Sequence, residues 1–147
     1  MDHSALRESL AAVVGPDYVL TDDDSRTFFS TDVFRQADEL AAVVVQPGTV
    51  EDLQALVRVC AQQKAPMVVR GGGASYTDGY LPTKPGTVLF EMSRLKGIEI
   101  NAQNMTVTVE PGDYQLTAEA KGLFVHVDFE EVQARMQRRR TGSEAGG

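Results

Sequence analysis

Several residue types are scarce or absent in this 147-residue sequence. It has no tryptophan, one cysteine and two histidines. The single cysteine, Cys60, excludes an internal disulfide and fits a reducing compartment such as the cytoplasm. His3 and His126 lie far apart along the chain, so with Cys60 they do not make the clustered ligand set of a structural zinc site. We therefore expect no metal site.

Positive charge and long apolar runs are also lacking. The 14 basic residues stand against 21 acidic ones, which gives a net charge of -7. This surplus disfavours nucleic acid and anionic membranes as partners, because both are negatively charged. No apolar run approaches the roughly 20 residues of a membrane span, and the N-terminus lacks the features of a signal peptide. The apolar fraction of 42% still suffices for a core, so the sequence predicts a cytoplasmic protein of about one domain.

Apolar runs on either side of an amphipathic segment predict a βαβ unit. Residues 40–45 are typical of a strand buried on both faces. Thr49 is a suitable N-cap for the helix that follows. The apolar face of this helix comprises Leu53, Leu56, Val57 and Cys60. A second strand is predicted over residues 67–69. Because a helix connects the two strands, they are expected to be parallel.

The segments before and after this unit give weaker signals. Residues 4–14 predict a helix that stops at Gly15. Residues 21–39 are polar and favour an irregular loop, with a solvated acidic run over 22–24. The aromatic residues of this stretch, expected to pack on the core, are Phe28, Phe29 and Phe34. The later chain predicts a strand over 87–92, a hairpin over 98–100 and 105–109, and a short helix over 114–121.

A glycine-rich segment, residues 70–79, directly follows the second strand. It reads Arg-Gly-Gly-Gly-Ala-Ser-Tyr-Thr-Asp-Gly. Glycine has no Cβ, so its backbone adopts positive φ and approaches a ligand closely, and successive N–H groups then form an anion-binding concavity. Ser75 and Thr77 add hydroxyl donors. Arg70 either supplies charge to a bound anion or pairs with a neighbouring acid.

Two familiar phosphate loops do not fit the glycine segment. The dinucleotide fingerprint G-x-G-x-x-G/A would have Tyr76 at its last position, and a frame that starts at Gly73 meets Ser75 where glycine is needed. The Gly-Lys-Ser/Thr of a P-loop is absent. From the residues alone, the segment is either a loop that binds phosphate through backbone groups or a flexible turn between strands.

Four motifs occur in order around this segment. Residues 47–52 read Pro-Gly-Thr-Val-Glu-Asp, 66–75 read Pro-Met-Val-Val-Arg-Gly-Gly-Gly-Ala-Ser, 88–95 read Val-Leu-Phe-Glu-Met-Ser-Arg-Leu and 109–112 read Val-Glu-Pro-Gly. Together they resemble the FAD-binding domain (p-cresol methylhydroxylase, or PCMH, type) of the vanillyl-alcohol oxidase family. Within that family they are most similar to the FAD-linked oxidases of the glycolate oxidase and D-lactate dehydrogenase group. The resemblance covers roughly residues 25–112.

This resemblance implies an α+β fold, the N-terminal lobe of a PCMH-type domain, in which a βαβ unit is followed by a small mixed β-sheet. It implies an FAD-dependent oxidoreductase of 2-hydroxy acids or similar alcohols. Ala74 stands where relatives with covalent flavin often carry histidine, which implies non-covalent FAD. The implied FAD-contacting residues are Arg70, Gly71, Gly72, Gly73, Ala74, Ser75, Tyr76, Thr77 and Gly79. It assigns no catalytic residue.

The chain departs from the family after residue 112. Relatives continue with a second glycine-rich stretch that contacts FAD and then a substrate domain. We expect an N-terminal helix and loop over 1–24, the first FAD lobe over 25–122 and an atypical basic tail over 123–147, which is either a frameshifted end or a simple helix. The protein is then an oxidoreductase truncated before the second lobe, or a non-catalytic FAD-binding fragment or accessory module that needs a partner chain.

Overall fold

The computed structural model describes residues 4–101, 103–104 and 106–112. The helix expected over 114–121 and the basic tail over 123–147 lie outside these residues. Within the described ranges, no helix combines the length and the apolarity that crossing a membrane requires.

The N-terminal part contains two helices, of which the sequence predicted one. Helix α1, Ser4–Val14, is confirmed and buries Leu6 and Leu10. A short 3-10 helix, Pro16–Tyr18, and strand β1, Val19–Leu20, follow it.

Helix α2, Asp23–Phe29, shows that the prediction of an irregular, solvated loop here was wrong. The acidic run starts the helix, since the Asp22 side chain caps it by accepting from the Ser25 N–H at 2.8 Å. The next two aspartates lie in its first turn, where the helix dipole favours negative charge.

The βαβ unit is present, and its helix begins as its sequence indicates. Strand β2 is Val43–Val45, shorter than predicted, and is buried on both faces. Helix α3, Val50–Gln62, opens with a capping box. The Thr49 hydroxyl accepts from the Asp52 N–H at 3.1 Å, and the Asp52 carboxylate accepts from the Thr49 N–H at 3.2 Å. Strand β3, Met67–Arg70, completes the unit.

Four strands form one mixed sheet in the order β1-β2-β4-β3. Strand β4, Val88–Glu91, lies between β2 and β3 and is parallel to both, while β1 is antiparallel to β2. Strands β5, Ile98–Asn101, and β6, Thr106–Val109, form the predicted antiparallel hairpin. The parallel βαβ unit and the small mixed sheet are therefore confirmed.

The main core lies between one face of the sheet and the helices α1 and α3. It joins Leu10 and Leu56 to Val43, Phe90 and other apolar side chains. Cys60 is fully buried here, and its burial raises the pKa of the thiol to about 11. This confirms that Cys60 acts as a small apolar residue, because the reactive thiolate is disfavoured.

Two expectations about burial were wrong. On α3, Leu56 and Cys60 are buried and Leu53 is partly buried, but Val57 is 40% exposed. Val57 lies one residue, about 100°, beyond Leu56 on the helix, which turns it off the packed face. Phe28 and Phe34 are 63% and 77% exposed. Of the three phenylalanines expected in the core, only Phe29 packs against buried residues, namely Ala41, Val44 and Leu89.

Candidate anion-binding site

The glycine segment lies at the edge of the sheet where the parallel strands end. Strands β2, β4 and β3 run in the same direction, so their carboxyl ends share one edge, which is where open α/β sheets bind ligands. Arg70 is the last residue of β3, and its carbonyl accepts from the Met92 N–H at 3.0 Å. The segment therefore leaves the sheet from a fixed point beside β4.

Several backbone N–H groups in this segment have no partner in the described part of the chain. Those of residues 72–76 donate no hydrogen bond to any other described residue. The next one, the Thr77 N–H, donates to the Ser75 hydroxyl at 3.2 Å. These residues are exposed or partly exposed, so their N–H groups are open to solvent. Five consecutive donors that no described residue uses are therefore available to an external acceptor.

Three of the glycines differ in what an added side chain would meet. Gly73 has φ of +74°, and a Cβ there would collide with the Arg70 guanidinium. A Cβ on Gly71 would lie 2.9 Å from the Pro111 carbonyl oxygen. Gly72 has no left-handed φ, and no atom of the described residues lies within 4 Å of its Cβ position, so within the described structure it faces open space. Gly71 and Gly73 therefore serve the fold, while Gly72 leaves room in front of the loop.

Arg70 lies beside the segment as a cation with no acidic partner among the described residues. Its guanidinium is stacked 5.2–5.5 Å from the ring centres of Phe28, Phe29 and Tyr80, and its buried Nε makes no hydrogen bond to any described residue. Arg70 was expected either to supply charge to a bound anion or to pair with a neighbouring acid. The described residues form no salt bridge with it, so the second role is not observed there. The positive charge is left available to an anion.

A shallow hollow opens next to this cation. It has a volume of about 250 Å³. Its lining residues are Phe28, Thr31, Asp32, Val33, Arg70 and Gly73. Phe28, which was expected to pack in the core, thus lines a surface hollow beside the glycine segment.

A turn between α2 and β2 holds the far end of the segment, and the sequence alone did not predict this turn. The Asp32 carboxylate, only 7% exposed, accepts from the N–H groups of Phe34 and Arg35, each at 2.8 Å. It also accepts from the Asp78 N–H at 3.2 Å. The hydrogen bond from Arg35, with those from Phe34 and Asp78, lowers the pKa of Asp32. An Asp followed by such a turn is the available local signal.

The other predicted residues lie in the same loop. The hydroxyls of Ser75 and Thr77 are 3.3 Å apart, and a Cβ on Gly79 would be 3.6 Å from the Ser75 hydroxyl. Tyr76 is 71% exposed, and Ala74 is exposed as well. The structure thus brings all the predicted residues together in one loop, and their contacts with FAD stay a prediction.

Acid should weaken the fold through Asp32. The unfolded carboxyl has a pKa of about 3.9, and the folded pKa is lower, so the unfolded chain takes up the proton first. This contribution to the free energy of unfolding is present above the unfolded pKa and is lost as the pH falls through the folded one. We expect urea unfolding to show a wild-type advantage over Asp32→Asn that is constant near neutral pH and shrinks below about pH 4. An advantage that does not change with pH would contradict this.

Comparison with known proteins identifies the family of this loop and sheet. Residues 41–134 match the FAD binding domain family. The chain is 30% identical over 127 residues to the glycolate oxidase subunit GlcD of Bacillus subtilis, which covers 84% of this chain and 27% of that protein. It is 30% identical over 152 residues to the D-2-hydroxyglutarate dehydrogenase of Stutzerimonas stutzeri, covering 100% of this chain and 32% of the relative. The chain therefore spans about a third or less of these curated relatives.

Solved structures share the fold. A p-cresol methylhydroxylase with substrate bound has a TM-score of 0.64 at 21% identity, covering 81% of this chain and 25% of that one. A 4-ethylphenol oxidase from Gulosibacter chungangensis, in complex with isoeugenol, has a TM-score of 0.64 at 26% identity, covering 80% and 24%. The predicted α+β, PCMH-type fold is confirmed, and the relatives are the FAD-linked oxidoreductases that the motifs implied. The chain belongs to the FAD binding domain family.

Proposed function

We propose that the glycine segment binds the pyrophosphate of FAD in an oxidoreductase of 2-hydroxy acids or similar alcohols. The observation that carries the proposal is that the N–H groups of residues 72–76 have no hydrogen-bond partner among the described residues. They lie at the carboxyl edge of the parallel strands, next to a cation that no described acid neutralises. A pyrophosphate offers only acceptor oxygens and negative charge, which matches both features.

The neighbouring groups support the same ligand. The hydroxyls of Ser75 and Thr77 rotate freely enough to donate to phosphate oxygens once an acceptor is present. The open face of Gly72 lets such an acceptor approach the main chain. Arg70 packs against aromatic rings and no described carboxylate neutralises it. It therefore provides a local positive charge in a chain whose net charge is -7. Residues 70–77 and Gly79 are the group that we assign to FAD.

Flavin would supply the redox chemistry, while the protein binds and orients it. Because Ala74 offers no nucleophile, we propose that this loop holds FAD without a covalent bond. Unfolding the FAD-loaded protein with acid should then release all of the flavin into the supernatant after precipitation. Flavin that stays with the precipitated chain would contradict non-covalent binding.

The phosphate assignment is tested by comparing two flavins. Riboflavin carries the same ring system as FAD but lacks both the pyrophosphate and the adenosine, so we expect FAD to bind the chain at least about tenfold more tightly, which is about 1.4 kcal/mol. Competition and salt then separate the phosphate contribution from that of the adenosine. Quenching of flavin fluorescence measures both affinities. Inorganic pyrophosphate should compete with FAD, and added salt should weaken FAD more than riboflavin. Equal affinities for the two flavins would overturn the proposal.

The substrate class comes from the relatives, which are named for glycolate and D-2-hydroxyglutarate. These compounds share a hydroxyl-bearing carbon next to a carboxylate. We propose that the protein takes part in removing two electrons and two protons from such a carbon. Anaerobic addition of glycolate or D-2-hydroxyglutarate to FAD-loaded protein should bleach the visible flavin absorbance, and ethanol should not. FAD binding without bleaching by any 2-hydroxy acid would restrict the chain to a binding role.

A further inference from the structure

Two carbonyl groups in the middle of the glycine segment, those of Gly73 and Ser75, accept hydrogen bonds from residues outside it. The Gly73 carbonyl accepts from the Tyr80 hydroxyl at 2.9 Å. The Ser75 carbonyl accepts from the Val33 N–H at 3.2 Å. The Tyr80 hydroxyl is also 3.4 Å from the Thr31 carbonyl oxygen. Both anchors therefore belong to one cluster, made by Tyr80 and the turn over residues 31–33.

These anchors fix the direction of two of the unpaired donors. Every peptide bond of the described loop is trans, and in a trans peptide the C=O and the following N–H point in opposite directions. With the Gly73 carbonyl held by Tyr80, the Ala74 N–H points away from Tyr80. With the Ser75 carbonyl held by Val33, the Tyr76 N–H points away from the turn. Both donors are thereby turned outward from the cluster.

We propose that Tyr80 and the turn over residues 31–33 are positioning elements that aim the Ala74 and Tyr76 N–H groups at the phosphates. This inference rests on the proposed FAD site. Tyr80 is a positioning residue, since its own hydroxyl is used by the Gly73 carbonyl. Without that hydrogen bond the peptide between Gly73 and Ala74 can rotate, and the donor is no longer preorganised for an anion.

The cluster is rigid enough for this role. Tyr80 is only 5% exposed and packs with Ala37 and Leu81. Its ring centre lies 5.4 Å from the Arg70 guanidinium, so one side chain supports both the loop and the cation. Asp32 holds the turn itself and reaches the Asp78 N–H beyond the glycines. The loop is thus fastened at both ends and at its middle.

The test is Tyr80→Phe, which removes the hydroxyl and keeps the ring. We expect FAD to bind about three- to tenfold more weakly, the usual effect of one hydrogen bond, with riboflavin affinity unchanged. The matched control is Tyr18→Phe, because Tyr18 stacks on Arg94 in another part of the molecule. It should bind both flavins as the wild type does. Replacing Tyr80 by para-aminophenylalanine, which restores a donor at the same place, should recover most of the FAD affinity.

The outcomes separate the inference from the proposed function. Gly72→Val places a side chain on the open side of the loop and tests the phosphate site directly. If Gly72→Val weakens FAD binding and Tyr80→Phe does not, the positioning role of Tyr80 is wrong, while the proposed phosphate site is supported. If Tyr80→Phe weakens FAD and riboflavin equally, the tyrosine has only a structural role and the inference is overturned. If neither variant changes FAD affinity relative to riboflavin, the proposed phosphate site itself is wrong. Far-UV circular dichroism of each variant verifies that the fold is kept.

Discussion

Replacing Gly72 by valine should lower the affinity of the protein for FAD by at least about a hundredfold and leave the fold intact. No atom of the described residues lies within 4 Å of the Cβ position and φ is not left-handed, so the described backbone accepts a side chain there. The same open space is where an acceptor must approach the N–H groups of the loop. Hydrogen bonds to a charged group contribute about 1.5–3 kcal/mol each, and losing two of them corresponds to a hundredfold or more.

The measurement is a flavin fluorescence titration with FAD and with riboflavin. Ala61→Val is the matched control, since it adds a comparable side chain on the exposed side of α3. Gly72→Ala should give an intermediate loss, because its smaller side chain blocks less of the loop. Wild-type FAD affinity in Gly72→Val, with circular dichroism unchanged, would mean that phosphate does not approach this face.

A contrast with the next glycine makes the result specific. Gly73→Ala introduces a Cβ at φ +74° that also meets the Arg70 guanidinium, so it strains the unliganded protein. Gly73→Ala should therefore lower both the affinity for FAD and the melting temperature. Gly72→Val should lower only the affinity for FAD. Two adjacent glycines with separable effects would distinguish a loop shaped for a ligand from a loop that needs glycine only to fold.

Local signals in the sequence were sufficient for much of the fold. The capping box at Thr49 and Asp52 defines the start of α3 without any long-range contact. The run Val43–Val45 is apolar throughout because both of its faces are covered, and the sequence showed this directly. The glycine run marked the loop for the same reason, since its chemistry depends on main-chain groups that adjacent residues provide.

The contacts that support the loop are not local, and here the sequence was insufficient. Asp32 and Asp78 are 46 residues apart, and Tyr80 and Thr31 are 49 apart. Nothing in their spacing distinguishes them from ordinary surface residues. Phe28 looked like a core residue because hydrophobicity alone does not show that a ring lines a surface hollow beside Arg70. The start of α2 was missed because a charge run and an N-cap look alike when the helix is short.

Among the substitutions considered, Leu56→Ala in helix α3 should lower the stability of the fold most. Leu56 is fully buried between the sheet and α1, so Leu56→Ala removes apolar contacts and leaves a cavity. Such changes cost about 2–5 kcal/mol. At about 2–4 °C per kcal/mol for a chain of this size, the melting temperature should fall by roughly 4–20 °C. Val57, the next residue, appeared equally buried in the helical pattern but is 40% exposed.

Val57→Ala is therefore the matched control, and we expect it to cost less than about 1 kcal/mol. Both variants remove apolar atoms from neighbouring positions of one helix, and alanine favours the helix in each case. The difference between them then reports mainly burial, because the differences in size and helix propensity are each worth less than the cavity left by a buried leucine. Thermal unfolding followed by circular dichroism measures both. Equal losses of stability would mean that α3 is rotated relative to the sheet, so that Val57 belongs to the packed face as its spacing first indicated.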